Sequence, residues 1–138
     1  LFFLCRTSNP GATTFQDLSV TTDAGPDPLY LAVADQIQRW ADRGPATVGL
    51  VVGATYPAEL AKIRERCPDL PILLPGIGVQ GGDLEASLDA GLDRNGAGLL
   101  VSASRSVTYA SQGDDFAEKA REETQRLHAA IAGARVPS

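Results

Sequence analysis

The sequence is short of residues that much metal, redox and acid–base chemistry draws on. It has no methionine, one histidine, one tryptophan and two cysteines in 138 residues. Cys5 and Cys67 lie in different segments without C-x-x-C spacing. Neither a disulfide nor a cysteine metal site is expected, and both read as reduced packing residues. The lone histidine, His128, stands near the end of the last helical stretch, far in sequence from every loop motif. No general-base role is expected of it. Only 12 residues are Lys or Arg against 17 Asp or Glu, a formal charge of −5. That balance argues against nonspecific nucleic-acid binding, which needs many cations to neutralise phosphates. No run approaches the roughly 18 apolar residues of a membrane-spanning helix, and no secretory signal is visible, so no membrane partner is expected and the expected location is cytoplasmic.

What is present is a 43% apolar chain of one-domain length, enough to bury a core. Short apolar runs at residues 1–5, 47–52, 71–74 and 98–102 read as strands. Stretches of helical periodicity at 28–42, 58–67, 84–92 and 116–132 separate and follow them. Alternation of this kind makes four strand–helix units of the α/β class with a parallel sheet. Leu29, Val33, Ile37 and Trp40 share one helical face, so Trp40 is expected to pack on the sheet. Leu60 and Ile63 face inward on the next helix, with Lys62 and Arg64 outward. Phe116, Ala120, Leu127 and Ile131 form the apolar face of the last. Residues 13–28 read as a long polar connection with a short strand at 17–20, and Asp27 with Pro28 as a helix N-cap and first-turn pair.

The richest stretch runs from Leu73 to Asp83, with glycines at 76, 78, 81 and 82 around Gln80. A glycine-rich turn between a strand and a helix brings backbone N–H groups close to a ligand, and an anion such as phosphate suits them. A tight turn with no ligand is the plainer alternative. Asp83 is placed to cap the following helix more readily than to touch a ligand. About twenty residues on, 98–109 reads as a further strand, with Arg105 where it runs out. Parallel strands all end on one face, where ligands bind, so Arg105 is expected beside the glycine loop. Its guanidinium could grip a phosphate through two bonds or make an ordinary surface ion pair.

Pro75-Gly76-Ile77-Gly78-Val79-Gln80-Gly81-Gly82-Asp83, followed by Ser102-Ala103-Ser104-Arg105-Ser106-Val107-Thr108-Tyr109-Ala110, resembles orotidine 5′-phosphate decarboxylase, closest to its longer bacterial branch. Arg6-Thr7-Ser8-Asn9-Pro10-Gly11-Ala12 and Val51-Val52-Gly53-Ala54-Thr55-Tyr56-Pro57 resemble two further blocks of that branch, in the same order. The resemblance implies a (β/α)8 TIM barrel acting as a homodimer without metal or organic cofactor. It implies a lyase that converts orotidine monophosphate (OMP) to UMP in de novo pyrimidine synthesis. The chain has little more than half of a barrel's roughly 250 residues, so residues 1–138 are expected to be a partial domain, the C-terminal half of the barrel with four βα units. By resemblance, Gln80 and Arg105, with backbone N–H groups around Gly81 and Gly82, hold the phosphate. Ser8 hydrogen-bonds the pyrimidine (its plainer alternative is a turn or cap bond), and Pro75 packs against the substrate.

The family's catalytic lysine sits in an Asp-x-Lys-x-x-Asp motif of the first half-barrel. This chain lacks the motif, and its two lysines, Lys62 and Lys119, fall on outer helix faces. No catalytic residue and no metal ligand is therefore assigned within it, and the missing N-terminal half-barrel is an expected partner. Two other readings stand beside this one: another phosphate-binding TIM-barrel enzyme, against which the Gln80 loop and the Ser8 block argue, and a non-catalytic phospholigand-binding half-barrel.

Overall fold

The computed structural model describes residues 1–45, 47–77 and 82–134. In chain order the elements are β1 (Phe2–Arg6), α1 (Ala12–Gln16), β2 (Ser19–Thr22), β3 (Gly25–Pro28), α2 (Leu29–Arg43), β4 (Gly49–Val52), α3 (Pro57–Arg66), β5 (Ile72–Pro75), α4 (Leu84–Gly91), β6 (Leu99–Ser102), α5 (Arg105–Thr108) and α6 (Phe116–Ala134). The main sheet has four strands in the order β1-β4-β5-β6, and every pairing is parallel. Each strand lies beside the previous one of that sheet, so the order never reverses. An open doubly wound sheet reverses at a switch point, whereas a barrel wall does not.

Side chains alternate across the sheet. Leu50, Val52, Ile72 and Leu74 are fully buried on the face covered by α2 and α3, in one cluster with Ala34, Ile37, Leu60 and Ile63. Leu4 and Leu100, on the opposite face, are 70% and 49% exposed. The alternation slips once. Leu4 pairs with Val51 but Arg6 with Val52, leaving Cys5 as an extra residue. Such a bulge turns the following side chain to the other face. Arg6 therefore enters the core side and is 1% exposed.

The cysteines are free and buried, as expected. Burial chiefly pushes the Cys5 thiol up to about 12 and that of Cys67 up to about 11. The Cys5 thiol donates to the Tyr30 carbonyl at 3.1 Å.

Several local expectations are corrected. Residues 12–28 are not a plain connection: they hold α1 and an antiparallel hairpin, β2–β3, with Ser19 opposite Pro28 and Thr22 opposite Gly25. Pro26 and Pro28 obscure the strand pattern, yet a two-stranded ribbon tolerates proline because both strands are edges. Asp27 does not cap α2. Its carboxylate pairs with Arg66 at 2.6 Å, and Arg66 also reaches Asp35 at 2.7 Å. Trp40 is 46% exposed and meets the sheet only at its margin, its ring 5.4 Å from that of Phe3. Phe116 is 62% exposed, so the buried anchor of α6 is Leu127.

The largest correction is Arg64, expected in solvent and found buried. Its Nε donates to the Gly91 carbonyl at 2.7 Å and Nη2 to Gly98 at 3.1 Å. Nη1 is shared among the carbonyls of Cys67 (2.9 Å), Pro68 (3.2 Å) and Leu70 (2.8 Å). One guanidinium thus ties the C-terminal end of α3 to that of α4 and to the start of β6. Burial lowers its pKa, and the nearby Asp93 works the other way. Arg64→Met should cost about 3 kcal/mol or more, since several buried carbonyls lose their donor together. Lysine should not rescue it, because an ammonium cannot reproduce the fork; urea denaturation of the complete polypeptide would measure both.

Asp93 shapes the adjoining turn. Its carboxylate accepts from the Asn95 and Ala97 amides at 2.8 and 2.9 Å. These bonds, that from Ala97 foremost, hold its pKa below the ordinary value. The stability they contribute is complete above the ordinary carboxylate range and is lost as pH falls through the depressed folded pKa. Asp93→Asn should therefore be less stable than wild type at pH 7, with the gap closing in acid; a pH series of denaturation midpoints would check it.

Candidate functional site

Parallel pairing brings four strand ends to one edge, and each releases a loop there. After β1 come Thr7 to Asn9, after β4 Gly53, after β5 Gly76 and Ile77, and after β6 Ser104 and Arg105. Two depressions open on this edge. One, about 180 Å³, is lined by Pro75, Gly76, Ile77, Ser102, Ser104, Arg105 and Ser106. The other, about 540 Å³, is lined by Leu4, Thr7, Ser8, Asn9, Val51, Gly53 and Pro75, with Pro10. Pro75 borders both and separates a small cationic cleft from a wider one with an apolar floor.

Pro75 pairs with Ser102 in the sheet register. Three residues beyond Ser102 lies Arg105, which opens the short helix α5 instead of continuing the strand as the sequence suggested. Arg105 is exposed, and no described carboxylate or carbonyl pairs with it. Arg6, Arg64, Arg66 and Arg126 all have anionic or carbonyl partners. The surface ion pair considered for Arg105 is thus not made among the described residues, and its guanidinium stays available on the cleft wall.

The glycine loop is pinched at its base. Ile77 and Gly82 form a parallel bridge, and the Gly82 amide donates to the Gly76 carbonyl at 3.3 Å. A Cβ on Gly82 would lie 2.7 Å from that carbonyl oxygen and 2.8 Å from Ala54 Cβ, so only glycine allows the closure. In this arrangement the Gly82 N–H is already bonded. Gln80 and Gly81 lie outside the described residues. Asp83 caps α4, accepting from the Ala86 amide at 3.2 Å, in line with its plainer reading.

Ser8 is placed by residues that sequence reasoning left out. The Arg6 guanidinium lies 4.3 Å over the Tyr56 ring and 5.7 Å over that of Tyr30. It donates to Gln16 Oε1 at 3.1 Å and to Asp17 at 3.3 Å. Gln16 in turn clasps Thr7: Oε1 accepts from the Thr7 amide and Nε2 donates to the Thr7 hydroxyl, both at 2.9 Å. The Thr7 hydroxyl donates to Asn9 Oδ1. On the other side a Cβ at Gly53 would lie 2.9 Å from Ser8 Cβ, so glycine permits the close approach. The loop bearing Ser8 is therefore held from two directions. A cation ending an apolar strand, ten residues before a glutamine, was the available signal. Gln16→Ala should cost about 1–3 kcal/mol by stranding Arg6 and the Thr7 amide, and Thr7 should be the amide whose hydrogen exchange accelerates most.

Among the described residues no group of His, Cys, Asp and Glu could hold a metal ion, and no helix is long and apolar enough to cross a membrane.

No protein-family model matches the chain. It is 55% identical over 131 residues to orotidine 5′-phosphate decarboxylase of Thermomicrobium roseum, covering 95% of this chain and 46% of that relative. It is 50% identical over 131 residues to orotidine 5′-phosphate decarboxylase of Roseiflexus castenholzii, covering 94% and 46%. The solved OMP decarboxylase of Leishmania donovani superposes with a TM-score of 0.72 at 41% identity, covering 95% of this chain and 48% of that one. The chain spans about half the length of the curated relatives it matches, and its four units form half of the TIM barrel of the structural relatives.

Proposed function

Because the chain corresponds to the C-terminal half of orotidine 5′-phosphate decarboxylases, we propose that it supplies the substrate-gripping loops of an enzyme that decarboxylates OMP to UMP in de novo pyrimidine synthesis. The observation that carries this reading is Arg105, unpaired among the described residues, on the wall of the cleft shared with Gly76 and Pro75. A guanidinium with free donors, at the C-terminal edge of a parallel sheet, fits a phosphate dianion. Gln80, with the backbone N–H of Gly81, would complete the grip, while Gly82, its N–H held by the Gly76 carbonyl, closes the base of the loop. The wider depression takes the nucleoside, with Ser8 toward the pyrimidine and Pro75 packed between base and phosphate.

Removing CO2 from OMP leaves a carbanion on the pyrimidine, which a neighbouring cation must stabilise and reprotonate. Neither lysine here is placed for that. Lys62 lies on α3, and Lys119 lies on α6, where it pairs with Glu122 at 2.9 Å. The reacting cation belongs to the N-terminal half-barrel of the complete enzyme, a cytoplasmic homodimer, and the chain alone would bind without turnover. Its contribution to rate is remote binding energy: contacts to the nonreacting phosphate can be used to close loops and stabilise the transition state.

Turnover of OMP by the complete polypeptide tests the reading. Arg105→Ala should lower kcat/KM by roughly ten- to a hundredfold, since charge-assisted bonds are worth about 1.5–3 kcal/mol. Gln80→Ala, losing a neutral donor, should cost less. An unchanged kcat/KM in Arg105→Ala would remove Arg105 from the phosphate site.

A further inference from the structure

Ser106 stands second in α5, on the same cleft wall as Arg105. Its Oγ is screened from solvent and has no hydrogen-bond partner among the described residues. Hydroxyls in helices usually avoid that state by bonding the carbonyl four residues back. Two helical threonines do so: Thr108 Oγ1, in the same helix, donates to the Ser104 carbonyl at 2.9 Å, and Thr124 Oγ1, in α6, to that of Ala120 at 2.8 Å. The buried Ser87 hydroxyl likewise finds the Ala54 carbonyl at 3.2 Å. Ser106 has no such carbonyl to reach, because the residue four before it, Ser102, ends β6 and lies outside the helix. It also borders a shallow depression toward α6, but the charges there are spoken for: Lys119 pairs with Glu122 and Arg126 with Glu123. Thr55 Oγ1 is unpartnered too, but it does not line this cleft.

An unsatisfied buried hydroxyl is a standing cost in the unliganded fold. A donor kept in that state beside a guanidinium unpaired among the described residues has one evident acceptor. We propose that the Ser106 hydroxyl is a phosphate ligand: it donates to one oxygen of the substrate's phosphate while the Arg105 fork takes others. A tetrahedral dianion offers acceptor oxygens in several directions, so the two donors need not compete. This rests on the decarboxylase reading, and it assigns to Ser106 a share of the discrimination between nucleotide and nucleoside.

The test is calorimetric titration of the complete polypeptide with UMP and with uridine, beside thermal unfolding of the unliganded protein. Ser106→Ala should weaken UMP about five- to twentyfold and leave uridine unchanged. Because it deletes an unsatisfied donor, the unliganded Tm should hold or rise. Ser106→Thr, which keeps the hydroxyl, should recover most of the UMP affinity. Unchanged UMP affinity in Ser106→Ala would overturn the assignment. So would equal weakening of UMP and uridine with a lowered Tm, the mark of a merely structural serine. Wild-type protein that fails to bind UMP would instead overturn the decarboxylase reading, and this assignment with it.

Discussion

Parallel pairing in chain order is the constraint on which the rest depends. Four strands side by side, each following its predecessor in the sheet, send all their C-terminal ends to one edge. The register then sets the spacing along that edge. Pro75 opposite Ser102 brings the residues after β5 against those after β6, which is why Gly76 and Arg105 line one cleft although 29 positions separate them in sequence. The same logic sets Ser8 against Gly53, from the neighbouring pair of strands. None of these contacts needs a long-range side-chain bond to form. They follow from backbone hydrogen bonds and from glycines where two loops touch.

Two buried arginines hold opposite ends of this frame by different means. Arg6, at the ligand edge, has aromatic faces on Tyr30 and Tyr56 and a carboxylate and an amide at its fork. Arg64, at the other edge, is surrounded by carbonyl oxygens from the end of α4 and from the loops before β5 and β6. A cation out of water is tolerated only where donors are nearly all used. Arg64 meets that condition fully. Arg6 keeps Nε unbonded, and its charge is offset by π faces and by Asp17. One arginine closes the base of the sheet; the other braces the loop that carries Ser8.

The division of labour is chemical as well as structural. These loops offer a guanidinium, hydroxyls, close-packed glycines and a proline wall, groups that recognise and orient. On the proposed reading, groups that would carry a bond-breaking step are not among the described residues of these loops. On the proposed decarboxylase reading, recognition of a phosphate far from the reacting carbon would still bear on rate, because that binding energy is available for closure and orientation.

By itself the sequence determined the class and the outline of the site. Apolar runs alternating with helical periodicity specify a parallel α/β sheet, and Leu60, Ile63 and Leu127 fall inward because their spacing matches the helical period. Pro75, Gly76 and Arg105 were legible as neighbours because strand ends in such a sheet share an edge. Other features were decided only in three dimensions. A one-residue bulge turns Arg6 into the core, and composition carries no mark of it. The proline-bearing hairpin escaped because strand propensity excludes proline except at edges, and edges exist only once strands have paired. Arg64 looked solvated because charge predicts exposure; the carbonyls that make its burial favourable come from segments up to 34 residues away. Tertiary structure alone assembles such acceptors, and it alone leaves the Ser106 hydroxyl without one among the described residues.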